Sequence, residues 1–77
     1  MKISYDPKYN IAYIQIRKEK AQVETIRISD ELNVDISPDG KIYGFELLNA
    51  NEQLEIMKNH GLVMTDESTG KTVRLAI

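Results

Sequence analysis

The chain has 77 residues and a mass of 8.8 kDa, which allows one small domain and excludes a two-domain architecture. With 42% hydrophobic and 29% charged residues it has the composition of a folded globular protein, and the lack of Cys excludes disulfides, thiolate nucleophiles and Cys-based zinc sites. The net charge of −2, with signs alternating along the chain, argues against nucleic acid as a partner. Because no long apolar run occurs, we expect no membrane contact and a cytoplasmic location.

The first two thirds of the sequence alternate between apolar and polar residues, which is typical of half-buried β-strands. The clearest turn is residues 37–40, Ser-Pro-Asp-Gly, because Pro suits the first central position and Gly the position that needs a positive φ. Gly44 lies within the fifth alternating run, and a Gly in mid-strand usually marks a bulge or the close approach of another group. In the third run we expect Ile26 and Ile28 to point inward. The predicted strands cover residues 2–5, 11–16, 23–28, 32–36 and 41–48.

After the fifth run the period changes to that of a helix. Asn49 can act as the N-cap with Glu52 three residues later, and His60-Gly61 can close the segment, so we expect one helix of about eleven residues. Strand-like alternation returns at 62–65 and 72–77, which predicts a C-terminal hairpin.

The predicted fold is α+β, mainly β: an antiparallel meander of about five strands, one helix packed on the sheet, and the C-terminal hairpin, all in a single domain over 1–77. A core of this size stabilises a monomer by only a few kcal/mol. Exposed strand edges therefore leave two options open, a homodimer or capture of another protein by strand addition.

No group of residues has the spacing of an active site. His60 is the single histidine and has no second His or Cys to complete a metal or acid–base site, so we expect it only to interact with the helix dipole. Residues 70–72, Gly-Lys-Thr, resemble the end of a phosphate-binding loop, but Thr65 stands where that motif needs Gly. We therefore expect no catalytic, cofactor-binding or metal-binding residues, and a protein that is not an enzyme.

Two segments, ISYDPKYNIAYIQI and LNVDISPDGKIYGFELLNA, resemble a family of short prokaryotic proteins catalogued as a domain of unknown function. Its members combine a Tyr-Asp-Pro turn, an Asp-x-x-Gly hairpin and a Gly-x-Glu strand that leads to a helix. The resemblance covers about the first fifty residues and implies a small sheet domain with no assigned activity. The matching positions are Tyr5, Asp6, Pro7, Tyr13, Ile14, Asp35, Gly40, Gly44, Glu46, Leu47 and Asn49.

The chain departs from this family pattern at two positions. Asn10 stands where the family often has Asp, which weakens the case for an acidic site around Asp6. Ala12 stands where the family often has Leu, so we expect Tyr13 or the C-terminal hairpin to fill the space that the smaller side chain leaves. Genes of this kind are sometimes found beside genes for small ribonuclease-like toxins, so the resemblance also implies an antitoxin-like or other binding role.

The candidate interaction or structural residues are Tyr5, Asp6, Tyr13, Gly44 and Glu46. An acid and a Gly on a strand that otherwise reads as buried suggest a specific hydrogen bond, and the structural alternative is that Glu46 only bonds to the Tyr5–Asp6 turn. The favoured function is a small non-enzymatic protein-interaction domain, which could include an antitoxin-like partner of another protein. The alternative is a domain that binds a small ligand or nucleic acid between the helix and the sheet.

Overall fold

The computed structural model describes residues 1–55 and 61–76. It has a five-stranded antiparallel sheet, one short helix and a separate two-stranded hairpin, which confirms the predicted fold class. None of the helices in the described part of the chain is long and apolar enough to cross a membrane. The elements are β1 (Lys2–Asp6), β2 (Ile11–Gln15), β3 (Glu24–Ser29), β4 (Leu32–Ile36), β5 (Ile42–Leu48), α1 (Ala50–Leu54), β6 (Gly61–Thr65) and β7 (Thr72–Ala76).

The strands of the large sheet lie in the order β1-β2-β5-β4-β3. Strands β1 and β2 form one hairpin, β3 to β5 form a meander, and β2 pairs with β5 to join the two units. A continuous meander, as predicted, would instead place β3 beside β2. The connection over residues 16–23 permits this order, because eight residues can span roughly 26 Å and β3 lies only about 14 Å from β2 across three strand spacings.

One face of the sheet is apolar. Because directly opposed residues of an antiparallel pair share a face, the register places one residue from each strand in a continuous row across the sheet. We call this the apolar row, and it consists of Ile3, Ile14, Phe45, Val34 and Ile26. The opposite face carries the polar side chains, as the alternation predicts.

Helix α1 covers one end of the apolar face. Ala12 and Ala50 are fully buried against each other, and Tyr5, Leu47 and Leu54 pack around them. The space above Ala12 is therefore filled by the first residue of α1. The expectation that Tyr13 or the C-terminal hairpin fills it is wrong, because Tyr13 lies on the opposite face by alternation and the cluster around Ala12 includes none of the described hairpin residues.

The far end of the apolar face is open, which corrects the expectation that Ile26 and Ile28 point into a core. Ile26 is 40% exposed and Ile28 is 60% exposed. Both lie on β3, an edge strand that is exposed along its whole length. A bulge between Arg27 and Ser29 leaves Ile28 without a cross-strand partner, so the regular ladder does not include this residue.

Helix α1 is shorter than predicted. Asn49 is at the N-cap position as expected, but its side chain bonds to the Glu52 carboxylate at 2.6 Å and does not cap the backbone. Glu55 adopts the left-handed conformation, with φ at 49°, and this ends the helix after one and a half turns. The rest of the predicted helix, 56–60, lies outside the described residues, and so does the expected dipole contact of His60.

Asn10 from the β1–β2 turn supplies the cap that Asn49 does not. Its side-chain oxygen accepts the backbone N–H of Asn51 at 2.8 Å, and its backbone carbonyl accepts the N–H of Ala50 at 3.0 Å. Asn10 has a positive φ of 56°, a conformation that Asn tolerates better than most residues. A turn of the sheet therefore fixes the start of the helix, which explains why so short a helix persists at this site.

The C-terminal hairpin is present as predicted, with β6 and β7 in regular antiparallel register. Its turn is closed by Asp66, which accepts hydrogen bonds from the Ser68 hydroxyl at 2.6 Å and backbone N–H at 2.9 Å. These bonds lower the pKa of the Asp66 carboxyl below its usual value. Residues 70–72 therefore belong to a hairpin turn and the start of β7.

Candidate functional site

The polar face of the sheet is organised around the contact between Tyr13 on β2 and Gly44 on β5. Gly44 is buried, and a Cβ added there would lie 2.5 Å from the Tyr13 hydroxyl oxygen and 2.8 Å from its Cζ. The Tyr13 ring therefore lies directly across the strand at the position where any other residue would place its side chain. This is the close approach that a Gly in mid-strand predicts.

By crossing Gly44, the Tyr13 hydroxyl reaches Asp35 on β4. It donates a hydrogen bond to Asp35 Oδ2 at 2.8 Å, while Thr25 of β3 donates to Oδ1 of the same carboxylate at 2.6 Å. Burial, the hydrogen bond to Asp35 and the charges of Asp35 and Glu46 raise the pKa of Tyr13 above its usual value of 10.0. The hydroxyl therefore stays protonated and acts as a donor, and one carboxylate links three strands.

Glu46 lies next to this network, one residue pair further along the sheet. It is directly opposite both Tyr13 and Asn33, and it accepts a hydrogen bond from the Asn33 side chain at 3.0 Å. The predicted bond from Glu46 to the Tyr5–Asp6 turn is absent among these contacts. The reason is the strand order: β2 lies between β1 and β5, so the turn that follows β1 is separated from Glu46 by a whole strand.

A bulge in β5 brings a second tyrosine to the same region. Asp35 pairs with Gly44 and Ile36 pairs with Ile42, so Tyr43 is an extra residue with no partner on β4. Its carbonyl oxygen accepts the backbone N–H groups of both Ile16 and Arg17, at 2.9 and 3.2 Å. Bulges are frequent next to binding sites because they redirect a side chain that would otherwise follow the alternation of the strand.

The two tyrosines line a groove of about 290 Å³ between the sheet and the connection 16–23. The Arg17 guanidinium lies 5.7 Å from the centre of the Tyr43 ring and donates through Nε to the Ile42 carbonyl at 3.2 Å. Asp35 lines the same groove together with Glu19 and Lys20, so the lining carries two carboxylates, two cations and two aromatic rings. We call this the tyrosine groove.

The predicted site residues fall into two separate clusters. Tyr13, Gly44 and Glu46 lie together at the centre of the polar face, around the hydrogen bond to Asp35. Tyr5 and Asp6 lie elsewhere: the Tyr5 hydroxyl donates to Asn10 at 3.2 Å, and Asp6 accepts the backbone N–H of Lys8 at 2.9 Å. These two residues stabilise the β1–β2 turn and its contact with α1.

The sequence interpretation did not assign five further residues to the site. Asn33 and Asp35 could have been placed on the polar face from the clean alternation of β4, and Thr25 from that of β3. Their partners could not have been named, because that requires the strand order. Alternation alone would place Tyr43 on the same face as Phe45 and Leu47, and only the bulge explains its position beside Arg17 in the tyrosine groove.

The fold and the site define a small, mainly β domain in which a single central carboxylate links strands that are distant in sequence. A family described as "Protein of unknown function (DUF2283)" matches residues 2–51, and the chain belongs to this family. The match covers all five strands of the large sheet and the start of α1, and ends before the hairpin. Comparison with curated proteins and with solved structures gives no significant match.

Proposed function

We propose that this chain is a non-enzymatic protein-interaction domain that binds a protein partner on the open end of its apolar face. The supporting observation is the amount of surface: the chain exposes 6107 Å², whereas a compact monomer of 8.8 kDa exposes roughly 4,800 Å². The difference of about 1,300 Å² exceeds the roughly 800 Å² that each partner contributes to an interface of standard size.

Part of this surplus lies on the apolar face of the sheet, at Ile26 and Ile42, and another part lies on the hairpin, at Val63, Met64 and Val73. Of the described side chains, only Ala12, Ile14 and Ala50 form the buried apolar core, and no large side chain is fully buried. Helix α1 begins at the β1–β2 turn, packs against Leu47 of β5, and reaches the β3–β4 turn, where the Gln53 side chain donates to the Glu31 carbonyl. It therefore lies across one end of the strands, and the open part of the face lies beyond it on β5, β4 and β3, where Ile42 and Ile26 are 44% and 40% exposed. These three strands are about 10 Å across, which matches the diameter of one helix lying along them beyond α1. We therefore propose an apolar helix of the partner as the occupant.

The family resemblance suggests a more specific form of this proposal, an antitoxin-like role. The partner would then be a small ribonuclease-like protein, and the domain would act in the cytoplasm. The net charge of −2 is compatible with a basic partner of that kind.

The test compares proteins that the purified domain retains from a lysate of its own organism, with and without nuclease. Ile26→Lys places a charge on the open apolar face, at a side chain already 40% exposed. Val63→Lys is the matched control, because Val63 is 53% exposed but lies on the hairpin. The proposal expects one stoichiometric protein, resistant to nuclease, that is retained by the wild type and by Val63→Lys and lost with Ile26→Lys. Equal retention by both variants, or retention of nothing, would contradict it.

A second candidate function, binding of a small ligand, is favoured by the tyrosine groove. The predicted location between helix and sheet is filled by Ala12 and Ala50, whereas the groove offers aromatic rings and a guanidinium within about 290 Å³. Binding there would raise the melting temperature in the presence of the ligand, and Tyr43→Ala would remove that shift. A nucleic-acid ligand would also make the shift dependent on salt. A ligand screen that leaves the melting temperature unchanged would set this candidate aside.

A further inference from the structure

The two edges of the large sheet are β1 and β3, and they differ in how well they are protected. The edge strand β3 contains the bulge between Arg27 and Ser29, which interrupts its regular shape, and Arg27 forms an ion pair with Asp30 beside it. Strand β1 is regular: all five of its residues pair with β2 without a register shift. Its outer row of backbone N–H and C=O groups is therefore a flat template for another strand.

The sequence of β1 is complementary to itself when it is read in the antiparallel direction. A two-fold axis through Ser4, perpendicular to the sheet, places Lys2 opposite Asp6 of the second copy and Asp6 opposite its Lys2. The same axis places Ile3 opposite Tyr5. Opposed residues share a face, so the two ion pairs lie on the polar face and the two Ile–Tyr pairs continue the apolar one.

No other register of this strand preserves both features. If the pairing shifted by one residue, each polar residue of one strand would lie opposite an apolar residue of the other strand. If it shifted by two residues, both ion pairs would be lost. A lysine on an edge strand ordinarily prevents pairing, but here Lys2 is neutralised by Asp6 of the second copy in this one register.

We propose that two copies of the chain pair through β1 in this register to form a continuous ten-stranded antiparallel sheet. The occupant of the edge is thus a second copy, and the open apolar faces of both copies lie on the same side of the dimer. The pairing involves only two five-residue strands and the side chains next to them. We therefore expect an interface area at the small end of the range for protein–protein interfaces, and a dimer that dissociates on dilution. The proposal is independent of what binds the apolar face.

The test is sedimentation velocity over protein concentrations from about 1 μM to about 1 mM, which brackets a weak interface. Lys2→Asp makes the polar side of β1 entirely acidic, and Asp6→Lys makes it entirely basic. Each replaces two attractive pairs with two repulsive ones, so each variant alone should dimerise at least about tenfold more weakly than the wild type. An equimolar mixture of the two variants has complementary edges and should regain the dimer. Lys8→Asp, with the same charge change beyond the end of β1, should dimerise like the wild type.

Circular dichroism of each variant checks that it is folded, which matters because Asp6 also accepts the backbone N–H of Lys8. A wild type that is monomeric throughout the concentration range would overturn the proposal. So would a dimer that Lys2→Asp leaves unchanged, because that dimer would use another surface, or a mixture that stays as monomeric as its components. The measurement contains no other protein, so its result is separate from the test of the apolar face.

Discussion

Replacing Gly44 with Ala is the most direct test of how the polar face is built. The added Cβ would lie 2.5 Å from the Tyr13 hydroxyl oxygen and 2.8 Å from the backbone carbonyl oxygen of Ile14. Real Cβ atoms do not approach other atoms this closely, so the Tyr13 ring must move, and its hydrogen bond to Asp35 is broken. The Ile14 carbonyl belongs to the β2 backbone and can move away only if the sheet deforms.

The expected cost has two parts. Overpacking costs about 1–3 kcal/mol, and the lost hydrogen bond costs about 0.5–1.5 kcal/mol, so we expect Gly44→Ala to lower the free energy of unfolding by about 1.5–4.5 kcal/mol. A domain of this length has a total stability of about 4–12 kcal/mol. The melting temperature should therefore fall by at least about 6 °C.

Urea denaturation followed by far-UV circular dichroism measures this cost, and Tyr13→Ala shows whether the tyrosine causes it. Removing the ring eliminates two of the three close contacts, so Gly44→Ala should be less destabilising in the Tyr13→Ala background by at least about 1 kcal/mol. Gly40→Ala is the control: Gly40 has a positive φ of 86° but no atom within 4 Å of the added Cβ, so its cost should be the same in both backgrounds. A Gly44→Ala variant within about 0.5 kcal/mol of the wild type would refute the reasoning.

Three further predictions test single contacts. Because the folded state raises the pKa of Tyr13, the contribution of this hydroxyl to stability is complete below pH 10.0 and is lost as the pH rises through the folded pKa. Tyr13→Phe should remove this alkaline loss of stability in urea titrations at different pH values, and it should lower the free energy of unfolding by about 0.5–1.5 kcal/mol at neutral pH. Asn10→Ala should lower stability by about 2 kcal/mol through the lost cap and the positive φ. Asn10→Asp keeps the acceptor oxygen but loses the amide that donates to Asn49 Oδ1, so in thermal denaturation it should be less destabilising than Asn10→Ala. The hydrogen bond from Ser37 lowers the pKa of Asp39 below 3.8, so this carboxylate stabilises the fold above that pH and ceases to do so as the pH falls through its folded pKa. Asp39→Asn should therefore make stability depend less on pH in acid, and an unchanged pH dependence would contradict this role of Asp39.

Local pattern predicted most of the secondary structure of this protein. The alternation over β4 and the Ser-Pro-Asp-Gly turn that follows it specify a strand, a turn and a second strand without any information from distant residues. A Gly in mid-strand also predicts a bulge or a close approach, and both occur here, the bulge at Tyr43 and the close approach at Gly44. The cause of the turn lies within a few neighbouring residues, whereas the ring that approaches Gly44 belongs to Tyr13 on another strand.

The strand order and the helix length could not be obtained in this way. The length of the connection 16–23 is a signal that β2 and β3 are not neighbours, because hairpin loops usually have two to five residues, but it does not say which strand lies between them. The helix ends at Glu55 in a left-handed conformation that no C-cap signal in the sequence indicates. The hydrogen-bond partners of Tyr5, Tyr13 and Glu46 all depend on this tertiary arrangement. The sequence therefore indicated these residues as candidates but could not indicate what each of them contacts.

The Tyr13–Gly44 contact has a consequence for strand order as well as for stability. The β1–β2 hairpin and the β3–β5 meander must pair through β2 and β5, which are about thirty residues apart in the chain. Apolar alternation alone would allow β2 to pair with other strands. Tyr13 can lie across a neighbouring strand only where that strand has no side chain at the crossing point, and it can donate a hydrogen bond only where an acceptor lies beyond. Gly44 and Asp35 meet both requirements in the observed register, because they are directly opposite each other on β5 and β4. A shift of β5 by two residues would place Glu46 or Ile42 beneath the ring, so this contact selects one neighbour and one register for β2.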